Sequence, residues 1–231
     1  MALSVQDIID QGYSKSAAAR VQSIAAPQEL VTEVGNLLRE IFLTLARENP
    51  EILGAIATLN FDGTGWPRAA DCLRAIKLQA TAGTIVNPAL AVGAEITVVP
   101  FNDQAFCKGD ACVTEFGQRY IPTGQTMDPS DGSISQLYAR APIIPTQTTD
   151  PIDPLFPEFF SDVLACGIAA YLADKDERTE DKTTFLGLKA AGAQQIVQWS
   201  RGQTYSVQQR FPLVVAPLTN TDGGRQSPAD Q

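Results

Sequence analysis

The stretch Pro157-Glu-Phe-Phe-Ser-Asp-Val-Leu-Ala-Cys-Gly-Ile-Ala-Ala-Tyr-Leu-Ala173 decides the fold expected for this chain. Its proline suits the first turn of a helix, and the residues that follow are apolar nearly all the way round. Small residues are interspersed at Ala165, Gly167, Ala169 and Ala170, which allows other helices to approach closely. A helix that is apolar on all sides must be covered on all sides. The cover comes either from the rest of this chain, as in a central core helix, or in part from a neighbouring subunit.

The residues on either side of this stretch predict two more helices. An alternating-charge bend, Asp174–Asp181, is followed by a helix over 182–201. The apolar seam of that helix is expected at Phe185, Leu188, Gly192, Ile196 and Trp199. Upstream, Pro27–Asn49 carries apolar residues at steps of three and four, which is typical of a long amphipathic helix. At the N-terminus, Ser4 and Asp7 predict the start of a short helix, which Gly12 is expected to end. These helices predict a bundle made of a long N-terminal helix and a C-terminal helical hairpin.

Between the helices the hydrophobic period changes to that of strands. Short runs rich in Val, Ile, Thr and aromatic residues alternate with turn clusters. The runs are Ile52–Phe61, Cys72–Gln79, Glu95–Phe101, Ala111–Tyr120 and Gln136–Ile144. The predicted fold class is therefore α+β: a helical bundle with a β-rich insertion over about 52–145, as a small antiparallel sheet or barrel. Residues 1–201 are expected to form one domain, with helical parts at 1–50 and 157–201.

The C-terminal 202–231 predict an extended or disordered arm. The composition shifts there to Gln, Ser, Thr, Asp, Gly and Pro, with one apolar run. The run contains the expected docking residues Phe211, Pro212, Leu213, Val214, Val215 and Leu218. Its prolines favour an extended backbone, and an apolar run in a polar tail usually docks on its own subunit or on a partner.

The composition excludes several classes of function. The chain has 231 residues, no histidine and a net charge of about −9. The missing histidine excludes Ser-His-Asp and Cys-His catalysis and His-ligated zinc. The acidic balance argues against binding nucleic acid through its phosphates, but it does not exclude a surface that lets DNA pass without sticking, because like charges repel. Without an apolar run long enough to span a bilayer or an N-terminal leader pattern, we expect no membrane span and synthesis in a reducing cytoplasm.

The four cysteines are expected to be buried thiols. Cys72, Cys107, Cys112 and Cys166 are widely spaced and include no Cys-x-x-Cys pair. Cys107 and Cys112 flank a predicted hairpin turn, so a disulfide between them is an alternative. Cys166 lies inside the apolar helix, where a nucleophilic thiol is not expected.

The other candidate sites are better explained by structure than by chemistry. Asp62-Gly-Thr-Gly65 lacks the lysine of a phosphate loop, and Asp128-Pro-Ser-Asp-Gly132 lacks the ligand spacing of a calcium loop, so both predict turns. The carboxylates of Asp174–Asp181 alternate with basic residues and predict surface ion pairs. Trp66 follows a turn and is either a partly exposed anchor or an ordinary packed residue. We therefore expect no catalytic residue, no metal and no cofactor.

Several segments together resemble the head-to-tail adaptor (neck or connector) proteins of tailed bacteriophages. The first is the opening Ser4–Ser16, followed by the helix Glu29–Asn49 and the turn Phe61–Arg68. The most telling are Leu155-Phe-Pro-Glu-Phe-Phe160 and Ala169-Ala-Tyr-Leu-Ala-Asp-Lys-Asp176. Such adaptors similarly place a proline-opened helix and a charged bend before their last helix. The resemblance covers about residues 4–201.

The resemblance implies a structural virion protein at the head–tail interface and no enzyme. Adaptors of this kind form a homo-oligomeric, usually dodecameric ring under the portal protein, through which DNA passes without specific binding. The helices build the ring wall, where Phe159, Phe160, Gly167 and Tyr171 would pack subunits together. The β-rich insertion would face a downstream neck or tail protein. The C-terminal arm would dock on the portal through the run that begins at Phe211.

Three other functions remain open at this point. A tail-completion or tail-terminator protein would centre on a sheet and contain fewer helices. A small enzyme would use Cys166 or carboxylates such as Asp176 and Glu177. A cytoplasmic binding module would use the apolar tail to recognise a soluble partner.

Overall fold

The computed structural model describes residues 3–16, 25–81, 90–100, 111–123 and 132–203. Within these ranges the chain forms four α-helices and seven strands, with short 3-10 helices at Pro50–Leu53 and Glu158–Phe160. In chain order the elements are α1 (Val5–Ser16), α2 (Pro27–Glu48), β1 (Gly54–Asn60), β2 (Trp66–Pro67), β3 (Cys72–Ala80), β4 (Glu95–Val99), β5 (Cys112–Phe116), β6 (Arg119–Pro122), β7 (Ser133–Arg140), α3 (Ser161–Lys175) and α4 (Thr179–Gly202).

Helix α1 begins at a reciprocal cap. The Asp7 backbone N–H donates to Ser4 Oγ (3.2 Å), and Asp7 Oδ2 accepts from the Ser4 backbone N–H (2.8 Å). Gly12, which we expected to end this helix, lies in its interior. A Cβ at Gly12 would lie 2.5 Å from Ile168 Cγ2, so the glycine allows α1 to pack closely against α3.

Helix α2 confirms the prediction for Pro27–Asn49 to within one residue. Its apolar stripe faces the main helical core, which also takes in side chains of α1 and α3. Phe42 and Leu38 are fully buried there.

The predicted dominance of the helical bundle is wrong. The strands form one seven-stranded mixed sheet in the order β1-β7-β3-β4-β5-β6-β2. Its end strands β1 and β2 also contact each other, so the sheet is a nearly closed barrel. The barrel encloses its own core, with Trp66, Tyr120, Leu78, Ile96 and Ile134 buried inside. Because this core is separate from the helical one, the fold is α+β with the sheet as a full partner of the helices.

The details of the sheet differ from the expectation as well. Strands β4 and β5 pair in parallel, so the sheet is not purely antiparallel. The single run predicted over Ala111–Tyr120 is a hairpin, β5 and β6, which turns at Gly117 with a φ of 61°. The short strand β2 was not predicted.

Strand β7 and the segment after it join the barrel to the helices. Gln136 points into the barrel and donates to the Tyr120 hydroxyl (2.9 Å), whereas Ala139 lies in the helical core. At the end of β7, Arg140 forms two hydrogen bonds of 2.8 Å with the fully buried carboxylate of Asp153. That carboxylate also accepts the backbone N–H of Ile143 (2.7 Å), which fixes the chain as it crosses toward α3.

Helix α3 is the central helix of the helical layer. Ten of its residues are buried, including Leu164 and Ile168 at 0% exposure. Helices α1, α2 and α4 all contact it. A helix that is apolar on all sides is covered either by its own chain or in part by a neighbouring subunit. For α3 the structure supports cover by its own chain.

Helix α4, in contrast, is mostly exposed to solvent. Among its residues only Ile196 and Ser200 are buried. The predicted seam holds at Ile196 and at Gly192, where a Cβ would lie 2.4 Å from Val163 Cγ2. It is wrong at Leu188, which is 53% exposed.

Candidate functional site

At one end of the helical layer, three aromatic rings form an exposed apolar cluster. The ring centroids of Phe159 and Phe160 are 4.5 Å apart, and the Trp199 ring packs edge-on against both, at 5.5 and 5.9 Å. Phe159 is nevertheless 67% exposed. The rings meet because a 3-10 turn before α3 places both phenylalanines beside the last turns of α4. Contiguous exposed apolar patches mark interaction surfaces, whereas a single exposed apolar side chain needs no partner.

The same surface continues along α4. Leu188 lies eleven residues before Trp199, which is three helical turns and nearly the same face. Leu188 and Trp199 therefore lie about 16 Å apart on one face of α4, with Gly192 and the exposed Gln195 between them. We call Phe159, Phe160, Leu188 and Trp199 the α4 strip.

Two of the residues predicted to pack subunits make contacts within the chain. A Cβ at Gly167 would lie 2.5 Å from Leu37 Cδ1, so this glycine serves the contact between α3 and α2. The Tyr171 hydroxyl donates to Glu29 Oε2 (3.1 Å), and its ring lies 5.4 Å from Lys175 Nζ. Gly167 is therefore buried within the chain and Phe159 is exposed, whereas Phe160 and Tyr171 are half-buried.

The predicted docking run of the C-terminal arm lies outside the described residues. This concerns Phe211, Pro212, Leu213, Val214, Val215 and Leu218. The described chain ends just after α4, where Asn49 Nδ2 donates to the carbonyl of Ser200 (2.7 Å). The described chain therefore ends beside the C-terminal end of α2.

The bend between α3 and α4 is a surface ion-pair network, as predicted. Arg178 pairs with Asp176 and Asp181 at 2.7 Å, and Lys182 pairs with Asp174 at 2.6 Å. Arg178 also donates to the carbonyl of Ser16 (2.8 Å), which ties the bend to the end of α1. The carboxylates are thus held by basic side chains, an arrangement that stabilises a turn.

The turn at Asp62 is confirmed. Asp62 Oδ1 accepts the backbone N–H of Thr64 (3.1 Å) and of Gly65 (3.2 Å). Arg119 pairs with the same carboxylate, and these hydrogen bonds hold its pKa well below the usual value. A Cβ at Gly65 would lie 2.6 Å from the carbonyl oxygen of Tyr120, so glycine is required there. The second predicted turn, at Asp128, lies outside the described residues.

Trp66 is an ordinary packed residue and not an exposed anchor. It is 2% exposed, and its Nε1 donates to the carbonyl of Gly132 (2.8 Å). Its ring packs edge-on against Phe61 at 5.2 Å. The side chain therefore belongs to the barrel core.

Cys72 and Cys166 are free thiols in settings that favour the neutral form. Burial raises the pKa of Cys166 and also that of Cys72. Cys72 Sγ accepts hydrogen bonds from Arg68 and Gln136 (both 3.2 Å), which act against this shift but do not outweigh it. Neither thiol is thus prepared to act as a nucleophile. The alternative disulfide involves Cys107, which lies outside the described residues.

Within the described ranges, no group of three or more His, Cys, Asp or Glu side chains is arranged to hold a metal ion. None of the described helices is both long enough and apolar enough to cross a membrane.

The sequence reasoning missed the exposed face of α4. It placed Leu188 and Trp199 in one buried seam because they recur at helical spacing. A signal was present, since the apolar residues of α4 fall on two flanks of the helix, Leu186 and Val197 on one and Leu188 and Trp199 on the other. One flank lines a groove with α2, and the other is the α4 strip.

Comparison with protein-family models gives no match, and no curated protein is similar to the chain. The likeness to phage adaptors therefore stays a prediction. Function has to be argued from the surface that the structure exposes.

Proposed function

We propose that this protein is a structural subunit that assembles with copies of itself through the α4 strip, as the ring-forming adaptor between portal and tail in a phage virion. The barrel would face the downstream neck or tail protein, and the C-terminal arm would dock on the portal. DNA would pass through the ring without specific binding.

The observation that carries this proposal is the contrast between α4 and the rest of the helical layer. Helix α4 runs along the outside of the layer with two buried residues, while Phe159 and Leu188 present apolar surface to solvent. Ring closure would bury that strip against a different face of the next copy, in a heterologous interface. The net charge of about −9 fits a channel that lets DNA slide, because like charges repel.

The first test is the oligomeric state. Electron microscopy and light scattering of the purified protein, alone and with portal, are expected to show rings. Phe159→Lys and Leu188→Lys should reduce ring formation at least about tenfold, because a charge cannot be buried unpaired in the interface. The matched control is Ile56→Lys, since Ile56 is 48% exposed but lies on the barrel. Rings that form equally well with all three variants would contradict the proposal.

The second test concerns the arm. A chain that ends at Gln203 keeps every described element and should still fold, with an unchanged circular dichroism spectrum. We expect it to attach to purified heads more weakly than the full chain. Unimpaired attachment would show that the arm does not dock on the portal.

A tail-terminator or tail-completion protein is the second candidate, and the seven-stranded sheet favours it. Such a protein would be found at the tail end and not under the portal. Labelling the chain in intact particles and locating the label separates the two. The four helices, which hold more residues than the strands, favour the adaptor.

A further inference from the structure

Helix α2 carries a row of exposed side chains on a side that is turned away from α4. Arg39, Leu43 and Arg47 are all exposed and recur at four-residue steps over about 12 Å. The residues that directly follow the two arginines face α4, since Glu40 and Glu48 pair with basic side chains of that helix. The row therefore lies about 100° away from α4 around the axis of α2.

Strand β3 adds a third arginine at one end of this row. Arg74 is exposed, and its Nη1 donates to the backbone carbonyls of Arg47 (2.9 Å) and Ala46 (3.3 Å). A cation at this place also suits the last turn of a helix, where the backbone carbonyls carry partial negative charge. We call Arg39, Leu43, Arg47 and Arg74 the α2 patch.

The arginines of the α2 patch differ from the other basic residues because no carboxylate pairs with them. In the parts of the chain that the structure describes, every other lysine and arginine has an aspartate or glutamate partner within 3.1 Å. The chain carries a net charge of about −9, so carboxylates are in excess over basic side chains. Three unpaired arginines gathered on one surface of an acidic protein indicate that a partner supplies their carboxylates.

The composition of the α2 patch favours a protein partner over nucleic acid. Leu43 is 39% exposed and lies between Arg39 and Arg47, and the patch contains no lysine. Protein interfaces are enriched in arginine and depleted in lysine, and arginine binds carboxylates through paired hydrogen bonds. Binding to phosphates does not use an apolar side chain, and the acidic chain as a whole repels nucleic acid.

The start of α3 carries the complementary charges. Glu158 and Asp162 lie in the sequence on either side of Phe159, the exposed ring of the α4 strip. Glu158 is exposed and has no basic partner among the described residues, and the side chain of Asp162 is 72% exposed although Lys15 pairs with it. Carboxylates around a phenylalanine thus match the arginines around Leu43.

The two surfaces lie at the same height along the helices. Val163, in the first turn of α3, lines the same small groove as Ile41 and Leu45 of α2. Phe159 packs against Trp199 of α4, whereas the α2 patch is turned away from α4, so the two surfaces lie on different sides of the helical layer. A ring whose axis follows the helices closes without rising when its two contacting faces have equal heights.

We propose that the α2 patch of one copy receives the α4 strip of the next copy, with Phe159 against Leu43 and the flanking carboxylates paired with the arginines. The partner is thus a second copy of this chain. The inference rests on the proposed function, because it names the second face of the heterologous contact described there. Ion pairs across such a contact fix which faces meet and in which register.

Reversal of the charges on each face gives the test. One full-length variant carries Arg39→Glu and Arg47→Glu, and the other carries Glu158→Arg and Asp162→Arg. Each alone brings like charges together, so the yield of rings should fall at least about tenfold. An equimolar mixture of the two should restore the yield to within about threefold of the wild type, because every contact of an alternating ring then joins opposite charges. Analytical ultracentrifugation and electron microscopy measure the yield.

The controls separate the contact from net charge and from folding. The two variants change the net charge in opposite directions, so a loss in both is not an effect of net charge. Lys77→Glu reverses a charge on the barrel and should leave the yield unchanged. Circular dichroism checks that each variant is folded. Asp162 lies in the first turn of α3, where a carboxylate stabilises the helix, so Glu158→Arg alone replaces the double variant if the latter does not fold.

Three results would overturn the inference. Rings that form equally well with Arg39→Glu and Arg47→Glu would show that the α2 patch lies outside the contact. A loss in both variants that the mixture does not restore would show that the two faces do not meet. Binding of a DNA duplex that the arginine variant loses, with an unchanged yield of rings, would assign the patch to phosphates.

These failures are distinct from a failure of the proposed function. Wild-type rings that depend on Phe159 and Leu188 but not on the arginines would leave assembly through the α4 strip standing and remove only the α2 patch from it. The absence of wild-type rings would overturn both proposals.

Discussion

Helices α3 and α4 follow each other in the chain and were predicted together as one helical hairpin. Their surroundings differ, because α3 is mostly buried and α4 is mostly exposed. Leu164 in α3 is fully buried, while Leu188 in α4 is 53% exposed. Gly167 in α3 lies against Leu37, whereas a Cβ at Gly187 in α4 would meet nothing within 4 Å. The difference teaches that an apolar residue at helical spacing indicates a contact but not its partner. In α3 the contact is with the chain itself, whereas in α4 Leu188 stays exposed to solvent.

The largest expected difference is between the two leucines. Leu164→Ala should lower the free energy of unfolding by about 2–5 kcal/mol, since it leaves a cavity in a close-packed core. Leu188→Ala should change it by less than about 0.5 kcal/mol. Urea denaturation of the two variants measures both. Equal losses would mean that α4 is as deeply packed as α3.

The two glycines give the second contrast. Gly167→Leu should destabilise by about 1–3 kcal/mol, because the new side chain meets Leu37. Gly187→Leu should instead stabilise by about 0.5–1 kcal/mol, since leucine is a better helix former than glycine. Thermal unfolding followed by circular dichroism distinguishes the two signs. A neutral Gly167→Leu would show that the α2–α3 contact is loose.

A smaller effect on stability is expected for a substitution in the bend between α3 and α4. Glu177 has a φ of 56°, a left-handed conformation that glycine adopts at lower cost. Its neighbour Arg178 donates its backbone N–H to the carbonyl of Ala173 (2.8 Å), as at a helix end that usually carries glycine. Glu177→Gly should therefore raise stability by up to about 1 kcal/mol. A lower melting temperature would show that the glutamate side chain contributes more than its backbone costs.

The smallest effect is a pH dependence at the outer edge of α3. Hydrogen bonds from Lys175 and Tyr171 lower the pKa of Glu29 below its ordinary 4.5. A carboxylate with a lowered folded-state pKa adds stability that is fully present above its ordinary pKa and is lost as the pH falls through the lowered value. The melting temperature should thus fall less steeply below pH 4.5 in Glu29→Gln than in the wild type. Tyr171→Phe, which removes one donor, should lie between the two, and identical slopes would contradict the assignment.

The sequence predicted the elements of the fold better than their arrangement. The start of α2 at Pro27, the hairpin around Asp174–Asp181 and the turn at Asp62 follow from local rules and are confirmed. The extent of the barrel was underestimated because its sheet is built from strands that are far apart in sequence, such as β1 and β7. Gly12 was misassigned as a helix end for a related reason. Its role is to admit Ile168, more than 150 residues away.

The residues predicted to pack subunits lie in different surroundings, and their role stays a prediction. Phe159 is exposed and Gly167 packs against Leu37 inside the helical layer, while Phe160 and Tyr171 are half-buried. Small residues predict a close approach of helices, but they do not say whether the approaching helix belongs to the same chain.

By itself, the sequence determined the histidine content, the net charge and the starts of α1 and α2, because composition is read directly and signals such as Ser4, Asp7 and Pro27 act within a few residues. Only the tertiary structure decided that α3 is wrapped by its own chain, that the strands close around Trp66 and Tyr120, and that α4 keeps one apolar flank in solvent. The reason is that periodicity fixes which side of an element is apolar. Which other elements pack on that side depends on contacts between residues far apart in the sequence.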